Sequence, residues 1–311
     1  MILKINSTGE NVKILQRFLG ILEDGIFGKI TEQKVKDWQS KNGLVSDGIV
    51  GPITWKAMGL HELVSTDMQE KPNFVSKPNL TYVQHFMPPT EYMPGPTKKE
   101  WLFLHHTAGG HNPYFVADMW AKDDRGKVGT EFIMGGRECT GRDDRFDAVV
   151  VQCIPTGGYG WHLGTGNNPM HRNSVGIEVC NFGYVTKGGY TWNGKWVAKN
   201  PDNFYNYVGG VVTHITELAQ PFRGFKFWHR YSDKQIAALK DFILFIANRD
   251  GIDVRKGLIE LIKKEGEFKA FDKMDVAMCE NAKGMWSHTN VLRGKVDMFP
   301  QAELIQMLLS L

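Results

Sequence analysis

The sequence has few cysteines and no long apolar run. Its 311 residues include only four cysteines, which are far apart and form no CxxC pair. This pattern favours reduced thiols over a disulfide framework or a cysteine-rich zinc site. No run of eighteen apolar residues occurs, so no membrane span is expected.

The sequence also has little net charge, and its first residues do not show the pattern of a leader segment. The formal net charge is only +3 and is evenly spread along the chain. Because phosphate binding needs clustered Lys and Arg, nucleic acid is not an expected partner. The first residues, MILKINSTGENVKILQ, lack the basic patch, apolar core and small-residue cleavage site of a secretory signal. We therefore expect the protein to stay in the cytosol until something else releases it.

An internal repeat marks the start of the chain. The octapeptide DGIFGKIT at 24–31 returns as DGIVGPIT at 47–54. Each copy follows an amphipathic helical pattern, and the Asp-Gly pairs supply turns. The repeat predicts a compact, all-α module of three helices over residues 1–62.

A proline-rich stretch follows this module. Six of the thirteen prolines fall between residues 61 and 100, where helical and strand periodicity fade. Proline favours extended backbone over helix. We therefore predict a linker over 63–98.

The remaining residues, 99–311, alternate between strand and helix patterns. Asn112 can cap one helix, and Ser232 begins another with Gln235 completing a capping box. Asn193-Gly194 predicts a hairpin turn. Buried-strand runs occur in WLFLHHT (101–107), TEFIMGG (130–136), AVVVQCI (148–154) and SVGIEVCN (174–181). This alternation predicts an α/β domain with a mixed central sheet flanked by helices.

The first predicted strand ends in residues suited to chemistry. His105, His106 and Thr107 precede a glycine turn, a usual place for a site at the edge of a sheet. Either histidine alone could equally be a hydrogen-bonded core imidazole.

A second stretch, WSHTNVLRGKVDMFP at 286–300, has neither helical nor strand periodicity. It contains His288, Lys295 and Asp297, and burial of an apolar face cannot explain all three. Two imidazoles and one carboxylate make a three-ligand zinc set that leaves a fourth position for water.

Three motifs, LFLHHTAGG, WHLGTGNNPMHRNSVGIEVCN and HTNVLRGKVD, together resemble the zinc-dependent N-acetylmuramoyl-L-alanine amidases of the second type, which share a fold with peptidoglycan-recognition proteins. The resemblance covers about residues 99–311, with the motifs in the family order. The front repeat independently resembles a peptidoglycan-binding module with paired turns. In this module the resemblance indicates five binding residues: Asp24, Phe27, Trp38, Asp47 and Trp55.

The resemblance implies Zn²⁺ on His105, His288 and Asp297. It places the first ligand on His105 rather than on the adjacent His106. It favours His288 over His229, because the family's second ligand follows the capped helix.

The resemblance also implies roles at the bond that is cleaved. Glu178, at the end of VGIE, matches the acid/base glutamate, and Lys295 matches a cation near the developing oxyanion. Each could instead be an ordinary solvated side chain. The residues matched to the substrate groove are Thr107, Trp161, His162, Arg172 and Asn173, with Ser174 as a weaker addition.

The chain departs from the family pattern in two ways. Thr130 and Glu131 stand where many relatives have an aromatic residue or His, so Glu131 is either a rival active-site carboxylate or part of a locally different groove. The segments 184–230 and 250–285 are longer than a minimal amidase needs, and the sequence assigns them no role.

The resemblance implies hydrolysis of the amide between N-acetylmuramic acid and L-alanine in bacterial peptidoglycan. A wall-binding module joined to such a domain resembles a bacteriophage endolysin, a monomer that waits in the host cytoplasm and then acts on the wall from the periplasm. Two alternatives stay open. One is a cytosolic amidase that recycles soluble muropeptides, and the other is a non-catalytic peptidoglycan receptor.

Overall fold

The computed structural model describes residues 2–60, 73–77, 80–164 and 168–311. Residues 61–62 of the predicted module, 63–72 and 78–79 of the predicted linker, and 165–167 of the second motif lie outside the described residues. The chain divides into two compact units, Met1–Asn73 and Phe74–Leu311.

The first unit contains the three helices that the repeat predicts: α1 (Glu10–Phe18), α2 (Lys29–Lys41) and α3 (Pro52–Ala57). Val12 and Leu15 of α1 and Val35 of α2 are fully buried against Phe27 and Trp55. Burial of one apolar stripe from each helix accounts for the compact module, and the predicted all-α fold is confirmed.

The repeat is a structural repeat built on a buried glutamine. The Gln16 side-chain amide donates to Asp24 Oδ1 at 2.6 Å and to the Ile26 carbonyl at 3.0 Å, and its oxygen accepts from the Gly25 N–H at 2.8 Å. The second copy makes the same contacts at 2.8–2.9 Å through Gln39, Asp47, Ile49 and Gly48. Each glutamine thus braces one Asp-Gly turn.

The second unit is an α/β structure with a seven-stranded sheet. The described strands are β1 (Asn73–Lys77), β2 (Leu80–Gln84), β3 (Trp101–His106), β4 (Phe132–Met134), β5 (Val150–Gln152), β6 (Ser174–Val179), β7 (Thr186–Lys187), β8 (Gly189–Trp192), β9 (Lys195–Ala198), β10 (Phe204–Tyr205), β11 (Val211–Val212), β12 (Ile215–Phe222), β13 (Phe225–His229) and β14 (Met285–Ser287). The described helices are α4 (Pro113–Trp120), α5 (Asn168–Arg172), α6 (Asp233–Asp250), α7 (Leu258–Glu265), α8 (Glu267–Asp272), α9 (Val276–Asn281) and α10 (Ala302–Leu309).

The large sheet has the order β1-β2-β5-β4-β6-β3-β14. Strand β3 is parallel to both β6 and β14, whereas β4 is antiparallel to β5, so the sheet is mixed as predicted. Alternate residues of β4 face opposite sides: Phe132 packs on Phe242 of α6, and Ile133 packs with Ala117 of α4. Helices therefore cover both faces, which explains why every residue of β3 is buried.

Two strands of the large sheet, β1 and β2, lie within the predicted linker. Residues 80–84 form β2, which pairs in parallel with β5 through Val83 and Val151. The backbone there is extended, as the linker prediction expects. However, Leu80, Tyr82 and Val83 are buried in the unit, so this segment belongs to the sheet.

The two long segments fold into small elements of their own. Within 184–230, β7, β10 and β11 form a three-stranded sheet, and β8–β9 and β12–β13 form hairpins. The β8–β9 turn is Asn193-Gly194, with φ of 48° and 75°, as the Asn-Gly signal predicts. Segment 250–285 contains α7, α8 and α9 and leads directly into β14.

Candidate active site

Parallel pairing of β14 with β3 brings the two histidine-bearing stretches together. Ser287 lies opposite Leu104, so His288, the next residue, emerges beside His105. The loop after His288 returns Asp297 to the same point, where the Ser287 hydroxyl donates to the Asp297 carbonyl at 3.2 Å. One ligand-type atom from each of His105, His288 and Asp297 lies within 4.8 Å of the other two, and all three residues are buried.

The spacing of these atoms fits a metal ion. His288 Nδ1 lies 2.8 Å from both His105 Nδ1 and Asp297 Oδ2, and His105 Nδ1 lies 3.5 Å from the same carboxylate oxygen. A neutral ring nitrogen carries at most one hydrogen, so His288 Nδ1 cannot satisfy both neighbours well. Atoms 2.0–2.1 Å from a tetrahedral zinc are about 3.3 Å apart, and the observed distances bracket this value.

In both His105 and His288 the Nε2 atom makes a hydrogen bond, which leaves the Nδ1 atom available to bind a metal ion. His288 Nε2 donates to the Leu163 carbonyl at 3.2 Å, and His105 Nε2 pairs with His162 Nδ1 at 3.0 Å. His162 in turn contacts the Ser174 hydroxyl at 2.8 Å. Burial lowers the pKa of His105 to about 3, so this ring is neutral, as a ligand must be. His162 therefore holds the orientation of the His105 ring.

Glu178 lies beside these three candidate ligands, and one of its carboxylate oxygens has no partner among the described residues. It lies directly opposite His105 in the β3–β6 register, so both side chains leave the same face of the sheet. Its Oε2 is buried and has no hydrogen-bond partner among the described residues. Burial and the nearby charge of Asp297 raise the pKa of Glu178 well above its ordinary range, and Lys295 opposes this in part. A buried carboxylate oxygen without a partner is costly and typical of a functional site.

A cavity of about 520 Å³ brings most of the predicted site together. Its walls include six of the predicted residues, namely Thr107, Trp161, His162, Glu178, His288 and Lys295. Arg172 and Asn173, predicted to bind substrate, are not among its lining residues. Their backbone carbonyls instead accept hydrogen bonds from Lys99 and Glu100, and the Arg172 side chain is exposed at the surface.

The cavity also has walls that the sequence did not indicate. Trp120 ends α4, Arg125 follows it, and His171 lies on α5. His171 Nδ1 accepts from the His162 N–H at 3.2 Å and so supports the turn that carries His162. In the sequence, His171 directly precedes the Arg172-Asn173-Ser174 run matched to the substrate groove, and this position was the signal that could have indicated it.

The competing candidates lie elsewhere. His106 faces the other side of β3, where its Nδ1 pairs with the Tyr231 hydroxyl at 2.8 Å. His229 Nδ1 accepts from a backbone N–H at 3.3 Å. Glu131 forms a two-pronged ion pair with Arg249 at 2.6 and 3.1 Å and does not line the cavity. Its carboxylate is thus satisfied structurally, unlike that of Glu178.

The module residues proposed to bind the wall have different environments. Phe27 and Trp55 are core residues, with 0% and 2% of their surface exposed, so they cannot offer a binding face. Asp24 and Asp47 are exposed but hold the two repeated turns through their own hydrogen bonds. Trp38 is half-buried and packs edge-on against Phe18, with ring centroids 5.7 Å apart. Only Trp38 of the five combines apolar surface with partial exposure.

None of the described helices is both long and apolar enough to cross a bilayer.

Comparison with known proteins gives two family matches and several similar chains. A family model described as N-acetylmuramoyl-L-alanine amidase matches residues 96–266, and one described as a peptidoglycan binding domain matches residues 8–58. The N-acetylmuramoyl-L-alanine amidase XlyA of Bacillus subtilis (strain 168) is 33% identical over 69 residues, which are 22% of this chain and 23% of XlyA. The match thus spans less than a quarter of that relative's length.

Two solved structures are also similar. PlyL is 14% identical, with 70% of this chain and 86% of PlyL covered and a TM-score of 0.38. A Burkholderia AP3 phage endolysin is 28% identical, with 25% of this chain and 30% of the endolysin covered and a TM-score of 0.18.

The amidase match contains His105 and Glu178 and ends before His288, so the placement of His288 and Asp297 at the site rests on the geometry described above. Because this model matches more than half of the 311 residues, the chain belongs to the N-acetylmuramoyl-L-alanine amidase family.

Proposed function

We propose that the protein is a zinc-dependent peptidoglycan hydrolase that cleaves the amide between N-acetylmuramic acid and L-alanine of the stem peptide. The observation that carries this proposal is the convergence of His105, His288 and Asp297 beside Glu178, whose buried Oε2 has no partner among the described residues. Family membership supports the choice of bond.

His105, His288 and Asp297 would hold the metal. When bound, Zn²⁺ supplies a Lewis acid that polarises a carbonyl group and lowers the pKa of water. The Nε2 contacts of both histidines keep their rings oriented for this role.

Glu178 is proposed as the acid/base. Its carboxylate accepts a proton from the attacking water as the new C–O bond forms at the amide carbon. It then returns that proton to the amide nitrogen as the C–N bond breaks, so the products are a lactyl carboxylate and a free alanine amine. The raised pKa of Glu178 suits a group that must both accept and release a proton near neutral pH.

Lys295 is proposed to stabilise the negative charge that develops on the carbonyl oxygen. Its side chain lines the same cavity as Glu178. A fixed cation in a partly desolvated cleft stabilises a transient oxyanion more than it stabilises the neutral amide. Thr107, Trp161 and His162 line the cavity and would contact the sugar or the peptide.

The first unit favours an insoluble polymer as the substrate. A module matching a peptidoglycan binding domain would raise the effective concentration of the enzyme on walls but add little for soluble muropeptides. We therefore assign wall binding to residues 1–62 and cleavage to 99–311 together with β2. A lytic role of the endolysin type, with a monomer released from the host cytoplasm to the wall, follows as part of this proposal. A recycling amidase and a non-catalytic receptor are the alternatives.

The test is clearance of purified cell walls together with release of new alanine amino termini, with and without a chelator. Release that stops on chelation and returns with Zn²⁺ supports the proposal. A zinc-loaded protein that binds walls but releases no alanine amino termini would favour the receptor. Release from soluble muropeptides alone would favour the recycling amidase.

A further inference from the structure

The loop 288–297 is held by hydrogen bonds at its two ends, but its middle has few backbone hydrogen bonds within the loop. Its ends are joined because the Thr289 N–H donates to the Asp297 carbonyl at 3.2 Å and the Met298 N–H donates to Ser287 Oγ at 2.9 Å. In the middle, the one hydrogen bond that the Lys295 N–H makes to a described residue is to the Leu292 carbonyl, at 3.4 Å. The part of the loop that presents Lys295 to the cavity therefore needs support from outside.

That support comes from the tip of an inserted hairpin. Strands β12 and β13 are closed by the two-residue turn Arg223-Gly224 between the paired Phe222 and Phe225. Both turn residues have positive φ, 50° and 88°, the conformation of a tight hairpin turn. Although it lies at a turn, the Arg223 side chain is only 13% exposed.

The Arg223 guanidinium contacts both arms of the loop. Nη1 donates to the Lys295 carbonyl at 2.6 Å, and Nη2 donates to the Thr289 carbonyl at 3.4 Å. On its other side it binds Asp272 at the end of α8, with Nε donating to Oδ1 at 2.9 Å and Nη2 to the backbone carbonyl at 3.1 Å. The planar guanidinium has five N–H donors in fixed directions and can bind acceptors on three different residues at once, whereas the compact ammonium group of lysine cannot.

The second inserted segment holds the same loop. The Asn290 side-chain amide donates to the carbonyls of Ala270 and Lys273, each at 2.8 Å. Its oxygen accepts from the Ser287 N–H at 3.0 Å. Segments 184–230 and 250–285 thus both make contacts with the stretch that carries His288.

We propose that Arg223 is a positioning residue that holds the 288–297 loop so that Lys295, His288 and Asp297 keep their places around the cleft. The inference rests on the proposed function, because that function is what requires Lys295, His288 and Asp297 at these positions. It gives the β12–β13 hairpin a role in the active site, although the hairpin does not line the cavity.

The test compares Arg223→Gln and Arg223→Lys with Lys226→Gln in the full-length protein. Lys226 lies on the same hairpin and forms a solvent-exposed ion pair with Glu217 at 2.6 Å, so it is a matched control. Three quantities are measured: hydrogen exchange of the 288–298 amides, Zn²⁺ affinity by chelator competition, and kcat and KM on a soluble muropeptide.

We expect faster exchange across 288–298 in Arg223→Gln and Zn²⁺ binding weakened by roughly 10- to 100-fold, the usual effect of losing a group that supports metal ligands. The kcat should fall with little change in KM, because Lys295 acts on the transition state. Arg223→Lys should lie between Arg223→Gln and the parent, and Lys226→Gln should match the parent.

Unchanged loop exchange and Zn²⁺ affinity in a folded Arg223→Gln protein overturn the inference, as does an equal effect of Lys226→Gln. If Arg223→Gln does not fold, parent-like exchange in Arg223→Lys overturns it. Hydrogen exchange of the loop and Zn²⁺ affinity can both be measured in a protein that has no catalytic activity. If the parent protein shows no amidase activity, the proposed function is refuted, and these two measurements still test the role of Arg223.

Discussion

Replacing Glu178 and Glu131 by glutamine should separate loss of chemistry from loss of stability. Glu131 directly precedes β4 and is buried, whereas Glu178 lies on the neighbouring strand β6 and is half-buried. The buried Oε2 of Glu178 has no hydrogen-bond partner among the described residues, and Glu131 is paired with Arg249. Glu178→Gln keeps the size of the side chain and removes the proton acceptor. Release of alanine amino termini should fall by roughly two to four orders of magnitude. Zinc content and melting temperature should stay near those of the parent.

Glu131→Gln should act on stability. Breaking a buried ion pair by removing one partner costs about 3–5 kcal/mol. Arg249 keeps its contact with Asp250 at 2.7 Å, and its side chain is 16% exposed, so we expect a smaller loss of about 2–3 kcal/mol. For a unit of this size each kcal/mol lowers the melting temperature by about 2–4 °C, which gives about 4–12 °C in all. Activity per folded molecule should persist.

The assay is release of alanine amino termini from purified walls, normalised to folded, zinc-loaded protein, with melting temperatures measured in parallel. A Glu178→Gln protein of full activity would refute the assignment of the acid/base. If Glu131→Gln at the same time abolished release without lowering the melting temperature, the catalytic carboxylate would be Glu131.

Three further outcomes are expected. Asp297→Asn should lower the zinc content found by elemental analysis, because a neutral amide is a poorer ligand than a carboxylate; full occupancy would contradict the ligand set. Removal of residues 1–62 should slow clearance of intact walls and leave cleavage of small muropeptides unchanged, and an equal loss on both substrates would make the module part of the catalytic unit. Burial, with a contribution from His214, lowers the pKa of His229 from 6.5 to about 3, and Glu138 opposes this. Below pH 6.5 the unfolded chain therefore binds a proton that the folded chain does not, and the free energy of unfolding should fall by about 2 kcal/mol between pH 7 and pH 5 from this residue. Denaturant unfolding at several pH values should show a shallower slope for His229→Asn, and an unchanged slope would exclude His229 as the cause.

Local patterns in the sequence predict the elements of this protein well. The 23-residue repeat predicts the three helices because each copy combines an amphipathic stripe with an Asp-Gly turn. The capping box at Ser232 and Gln235 is present at the start of α6, and Asn193-Gly194 forms its hairpin turn. These features depend on residues close in the chain, so their signals are readable without the fold.

Contacts between distant residues decide the site. His105 and His288 are 183 residues apart, and only the pairing of β14 beside β3 sets their Nδ1 atoms 2.8 Å apart. A resemblance to a family indicates which residues converge, but the distances and the tautomers follow from tertiary contacts such as the one between His288 and the Leu163 carbonyl.

Tertiary structure also assigns roles that residue type alone leaves open. Glu131, directly before β4, and Glu178, on the adjacent strand β6, are the same residue type, and the presence of Arg249 beside Glu131 shows which of them is already neutralised. Phe27 and Trp55 match a binding motif, yet the packing of three short helices buries both. Arg223 has no sequence signal at all, because its partners are backbone carbonyls, which every residue possesses and which only the fold brings within reach.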